Sequence, residues 1–397
     1  MRVRRPTPSS RWGRTRTTPH ATYGRSLALA LALALALALA LALPAGVPAA
    51  RPRAVVVTTD FETGGLATVG IHKPRRVRRL RTDVFSDAVV RVTGGLTIVL
   101  NRFLADNVQV LSPKLRTRLQ CSTVAGSNPH DIVVADPGRR GVAAGKAYVT
   151  RYGARELWIV DPAARGCRRF RLGTIDLSPW ADTDGLPEMD QAALVGSRLF
   201  VTLQRLDRTR GFVPTGQSRL VVIDTATDSV VGEPIVLAGK NAFGDASGIV
   251  REPGSGRLAV STPGSLYTVG DGGIQWIDPD TLTADPAGFF VTEDQLGGNV
   301  TDFVLLSPTK AYAIVQRNDL RNALVAFDPS NPASARTIFS REAFLPDIAS
   351  APDGTVWMAD QSRPGYGIRI IDPSIDDFVT AAPIDVGLPP FSIGFVP

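Results

Sequence analysis

Cysteine and histidine are almost absent from this chain, with two of the first and three of the second in 397 residues. Their spacing fits no Cys/His zinc motif. There is no Gly-rich phosphate loop and no ordered Ser-His-Asp set, so neither nucleotide chemistry nor serine-type acyl transfer has a motif to rest on. Lysine is scarce too, at five of the 44 basic residues. The first fifty residues contain no Lys, Asp or Glu at all. Their seven Arg account for the whole net charge of +7, so residues 51–397 are electrically neutral. The pI of about 9.8 therefore belongs to the leading segment, and nucleic-acid binding by the remainder is not expected. One basic run, Lys73 to Arg81, survives downstream and reads as a solvated outer strand.

What the chain does contain is a repeated phrase, an apolar run ending in Asp-Pro or a close variant. It appears as LWIVDPAAR at 157–165, LVVIDTATD at 220–228, IQWIDPDTL at 274–282, LVAFDPSNP at 324–332 and IRIIDPSID at 368–376. Degenerate copies, VQVLSPKLR at 108–116 and ATVGIHKPR at 67–75, bring the count to seven. A repeat of about fifty residues made only of short strands and turns predicts an all-β, seven-bladed β-propeller. Each blade parses as four strands, a to d from the centre outward. Blade 3 is expected at His130–Ala135, Ala147–Arg151, Glu156–Val160 and Arg168–Leu172. The start of the domain supplies strands b, c and d of a blade without its innermost strand, and residues 391–397 look like a strand a without a blade. Joining them closes blade 1 and removes the open sheet edge.

Three segments follow. Residues 1–25 form a basic n-region, 26–50 an apolar core and cleavage region, and 51–397 the propeller. The Leu/Ala run from Leu27 to Leu43 followed by small residues has the form of a secretory signal, with cleavage after Ala49 or Ala45. As a helix that run spans roughly 26 Å, short of the roughly 30 Å hydrocarbon core. The expectation is an exported protein, periplasmic or extracellular; the alternative is anchoring through an uncleaved leader. Export permits a Cys121–Cys167 disulfide. Both residues, however, are expected in outer strands of neighbouring blades, which splay apart, whereas bridging needs Cα atoms within about 7 Å.

Pro346 to Asp360 (PDIASAPDGTVWMAD) resembles a blade of the NHL, SMP-30 and streptogramin-lyase-like propellers. Ala147-Tyr-Val-Thr150, with Trp158-Ile-Val-Asp-Pro162 after it, is similar to the YVTN or YncE-type bacterial propellers. The resemblance implies the propeller fold. An SMP-30-type lactonase site would need a metal-holding Glu near the start of the domain. The one early Glu, Glu62, falls in a b-to-c turn, and no Glu-Gly-Pro opening is present.

Alignment of the blades places Asp87, Asp131, Asp190, Ser247, Asp302, Asp347 and Ser392 at the start of successive strands a. The ends of strands b carry Arg102, Arg151, Arg205, Arg317 and Arg363 in the five blades whose first position is Asp. Asp and Arg lie fifteen residues apart in blades 2, 4 and 6. Antiparallel strands bring the two positions together, so a ring of charge-assisted Asp–Arg pairs is expected round the channel mouth, as a structural device or a polar ligand platform. His130 and Trp180 are placed on the same face. Asp182, Asp184 and Glu188 form an acidic loop with partial calcium-loop character, the one candidate site for calcium or another divalent ion. No other cofactor and no catalytic residue is expected. The reading is a monomeric binding or scaffold protein for a protein or small polar ligand, the alternative a metal-assisted hydrolase of the SMP-30 or lactonase type.

Overall fold

Each Asp of the repeated phrase closes a tight turn after strand c. Asp161, Asp224, Asp278, Asp328 and Asp372 accept a hydrogen bond from the backbone N–H two residues on, at 2.7–2.9 Å. This Asx turn competes well with continued strand, which is why an apolar run stops at the same chemistry five times. The computed structural model describes residues 52–397. The leader, its cleavage positions and its membrane alternative lie outside the described residues.

Those turns punctuate a seven-bladed propeller. Blade 2 comprises Ala88–Thr93, Leu96–Asn101, Asn107–Leu111 and Thr117–Ser122. Blade 6 has the longest strands, Asn299–Ser307, Lys310–Gln316, Asn322–Asp328 and Asn331–Arg341. Blade 1 is built from both ends of the ring. Its inner strand, Pro390–Val396, pairs antiparallel with Arg53–Thr59, setting Arg53 against Val396 and Val57 against Ser392. The expected closure is therefore present, and Val55, Val56 and Val57 are completely buried behind it. Apolar clusters fill the gaps between neighbouring blades. One of them joins Tyr148 and Leu157 of blade 3 to Leu199, Val201 and Val221 of blade 4. Each such burial contributes roughly 1.5–3 kcal/mol. The basic run yields a short exposed outer strand, Val77–Arg79.

Two outer strands depart from the simple repeat. The outer strand of blade 4 is broken into Ser229–Val230 and Ile235–Val236, both paired with the third strand. In blade 3 the outer strand is Arg171–Asp176, and Cys167 sits before it in a 3-10 turn, Cys167–Arg169. That turn leans towards the outer strand of blade 2, and Cys121 and Cys167 are joined with Cα atoms 5.4 Å apart. Splaying strands would have kept them apart; a c-to-d turn does not.

Candidate functional site

The d-to-a and b-to-c connections share one face of the ring, here the loop face, and the a-to-b and c-to-d connections form the opposite turn face. At the loop end of the channel the expected Asp–Arg ring forms in one blade only. Asp87 and Arg102 meet at 2.6 Å because they lie equally far on either side of the Gly94-Gly95 turn, and Ala88 pairs with Asn101. In blade 6 the same spacing straddles the turn unequally, and Asp302 stands opposite Ile314 rather than Arg317. Arg317 bonds Thr337. Arg205 bonds the carbonyl of Gln217. Arg151 turns to Glu156 at 3.3 Å and stacks over Trp158. Arg363 lines a separate shallow cavity with Asp60 and Tyr366.

The acidic positions have a different use: they tie each blade to the next. Asp131 accepts from the backbone N–H of Ala192 at 2.9 Å, Asp302 from Ile348 at 2.9 Å and Asp347 from Ile393 at 2.6 Å. Ser392 accepts from Val90 at 3.2 Å in the same manner. Arg91, which sequence alignment does not single out, pairs with Asp131 at 2.7 Å. Gln191 donates to Gly244 O, and Asp245 N–H to Thr301 O, completing a link between every pair of neighbouring blades. Burial pushes the Asp245 and Asp347 carboxyls up to about 7, and Asp302 well above the usual carboxylate range. These channel groups hold the ring shut.

Beside the channel mouth the long b-to-c loop of blade 4 folds back as a hairpin, Leu206–Asp207 against Val213–Pro214. Asp207 caps its tip by accepting from Thr209 N–H at 2.9 Å, and Gly211 closes the turn at φ 76°. The hairpin walls a cavity of about 350 Å³ with Phe212, Phe243, Tyr267, Asn241, Gln204, Tyr152 and His130. His130 is fixed on two sides. Its Nδ1 lies 2.8 Å from Asp190 Oδ1, and its ring stacks on Tyr152 with centroids 4.5 Å apart. Asp190 is oriented in turn by Gln204, 3.1 Å away. A second cavity shares His130, Tyr152 and Phe212 and extends to Phe103, Leu104 and Arg208. Trp180 does not take part: it packs, partly buried, on the apolar cluster of blades 3 and 4. The aromatic residues of the cavity were invisible to repeat alignment because they sit in loops that the repeat skips. A sequence signal lies in the length of the b-to-c connection of blade 4, residues 205–218.

The acidic loop behind that hairpin does assemble. Oxygens of Asp182, Asp184 and Glu188 all lie within 4.8 Å of one another. Asp182 accepts from Thr215 Oγ1 at 3.0 Å, Asp184 from Arg208 N–H at 3.1 Å, and Glu188 Oε2 from Leu206 N–H at 3.1 Å. Burial, reinforced by Asp182 and Asp184, pushes the Glu188 carboxyl up to about 9.

The architecture recurs among solved structures. A 6-phosphogluconolactonase candidate from Bacteroides fragilis aligns with a TM-score of 0.57 and 11% identity, over 89% of this chain and 99% of that one. A protein from Lactobacillus plantarum aligns with a TM-score of 0.57 and 12% identity, over 88% and 100%. Apo AztD from Citrobacter koseri does so with a TM-score of 0.50 and 13% identity, over 87% and 97%. No protein-family model matches the sequence, and no curated protein does. At these identities the likeness is one of fold, a β-propeller, and carries no activity with it.

Proposed function

We propose that the protein is an exported propeller of the YVTN- and NHL-like kind that binds a small ligand, with an apolar body and a polar end, on its loop face. The carrying observation is the cavity of about 350 Å³ between blades 3, 4 and 5, with aromatic walls and His130 held by Asp190 and Tyr152. Its size and lining suit a compact ligand: apolar walls supply affinity and a few fixed polar groups supply orientation. With Nδ1 committed to Asp190, Nε2 is the ring nitrogen left for a ligand. The Arg-rich leader and the Cys121–Cys167 bridge support export to an oxidising compartment.

A panel of small aromatic acids, amides and lactones, scored by melting shift, tests this reading. At least one member is expected to stabilise the parent and to lose that effect in Tyr152→Ala and Phe212→Ala. Equal stabilisation of parent and both variants would place binding elsewhere. The second reading, a metal-assisted hydrolase of the SMP-30 or lactonase type, has the His130–Asp190 pair in its favour, since an imidazole so oriented can serve as a general base. Lactone turnover that His130→Ala abolishes would select it.

A further inference from the structure

The acidic loop goes beyond any ligand in the cavity. Three carboxylates converge, and the Arg208 guanidinium lies beside them, 3.4 Å from Asp184 and 4.0 Å from Glu188. A second guanidinium, that of Arg205, is close enough to act on Asp182 and Glu188. The side chains of Asp184 and Glu188 are 5% and 0% exposed, so water does little for either carboxyl. A carboxylate taken out of water without a partner is costly. Among the described residues the Oε1 atom of Glu188 is one of the few buried side-chain oxygens without a hydrogen-bond partner. Its sister Oε2 is occupied by Leu206 N–H, and Oε1 is turned to the side of Asp184 and Arg208. A buried oxygen without a hydrogen-bond partner, facing an acidic group, is suited to serve as a ligand atom.

We propose that Asp182, Asp184 and Glu188 bind a single hard divalent cation, calcium foremost, which fastens the 205–218 hairpin to the loop preceding blade 4. The geometry fits. Oxygens about 2.3–2.6 Å from one calcium ion are separated by up to about 5 Å, and the three carboxylates fall within 4.8 Å of one another. The donors are all oxygen, which favours calcium over zinc or copper. A divalent ion displaces the Glu188 proton and takes its place among the carboxylates, and Arg208, already about one-third exposed, swings outward as it enters. Each of the three acids bonds a different residue of the hairpin, Thr215, Arg208 or Leu206. The ion therefore sets the position of Phe212 and the cavity wall.

The test is calcium titration of the chelator-treated protein by calorimetry and by melting, with magnesium and zinc in parallel. One equivalent of calcium is expected to bind and to raise the melting temperature by about 5 °C at hundredfold excess over its dissociation constant. Glu188→Gln preserves size and the acceptor for Leu206, and should melt close to the chelated parent with no response to calcium. Asp184→Asn provides a second variant with the same expected loss. Absence of a calcium effect on the parent, an undiminished effect in both variants, or a response to zinc alone would each overturn the proposal. None of these readouts uses a cavity ligand, so the cation site and the ligand reading stand or fall separately.

Discussion

On the turn face, five Asp carboxylates close their own turns, and blades are latched by a repeated device. Tyr148 and Lys146 of blade 3 reach Asp228 in the next blade, and Tyr312 and Lys310 of blade 6 reach Asp376 in the blade after it. On the loop face, Phe61, Leu104, Val124, Phe212 and Leu320 stand exposed, and every one has a left-handed backbone with φ between 62° and 80°. Bulky side chains avoid that region, which costs roughly 1–3 kcal/mol per residue. The buried oxygens of Glu188 and Asn241 without partners also lie there. On the turn face the bulky left-handed residues, Leu115 and Leu282, are buried or half-buried, whereas on the loop face they stand out into solvent, although Phe61 still meets Phe391 edge-on at 6.0 Å. Such departures from local consistency are expected where a binding surface is kept.

The largest effect should come from the closure, which both faces share. Deleting residues 391–397 removes the inner strand of blade 1 and uncovers Val55 and Val57. The loss is expected to exceed about 5 kcal/mol, enough to abolish a cooperative melt by circular dichroism. A truncated chain that melts like the parent would refute the closed ring. Next is the disulfide, which spans 46 residues. Replacing both cysteines with serine should cost about 4 kcal/mol in urea denaturation by the chain-entropy estimate. Little or no loss would mean that the 3-10 turn holds blades 2 and 3 together without it.

Closure was legible because an orphan alternating strand and a blade lacking one are complementary, and the Asp turns served as a ruler between them. The Asp–Arg ring was not legible. Equal spacing in sequence gives equal register only when the two residues flank the turn symmetrically, as Asp87 and Arg102 do and Asp302 and Arg317 do not. The bridge was obscured by a boundary error of three residues at Arg171, enough to turn a strand into a reaching turn. The acidic loop was readable because its three members are close in sequence. The cavity was not, because Tyr152, Phe212 and Tyr267 come together only through the packing of three blades.

A smaller effect should appear in the pH dependence of the channel. Asp347, pushed up to about 7 by burial, keeps its proton in the native state over a range where the unfolded chain, titrating near 3.8, has released it. The native state binds more protons there, so stability falls as pH rises from about 4 to about 7, by at most about 1.4 kcal/mol per pH unit for this group. Asp347→Asn should flatten that slope in urea titrations at pH 5 and pH 7. An unchanged slope would assign the pH dependence to other channel carboxyls.

The contrast between the faces is tested most directly at two loop tips, Leu104 and Leu320, which are 76% and 73% exposed at φ 69° and 62°. Glycine accepts that backbone without steric penalty. If the loop face holds these leucines against its own stability, Leu104→Gly with Leu320→Gly should melt at or slightly above the parent temperature, by up to about 1 kcal/mol per site. A clear fall in melting temperature would show that the two side chains support the fold, and would contradict the account.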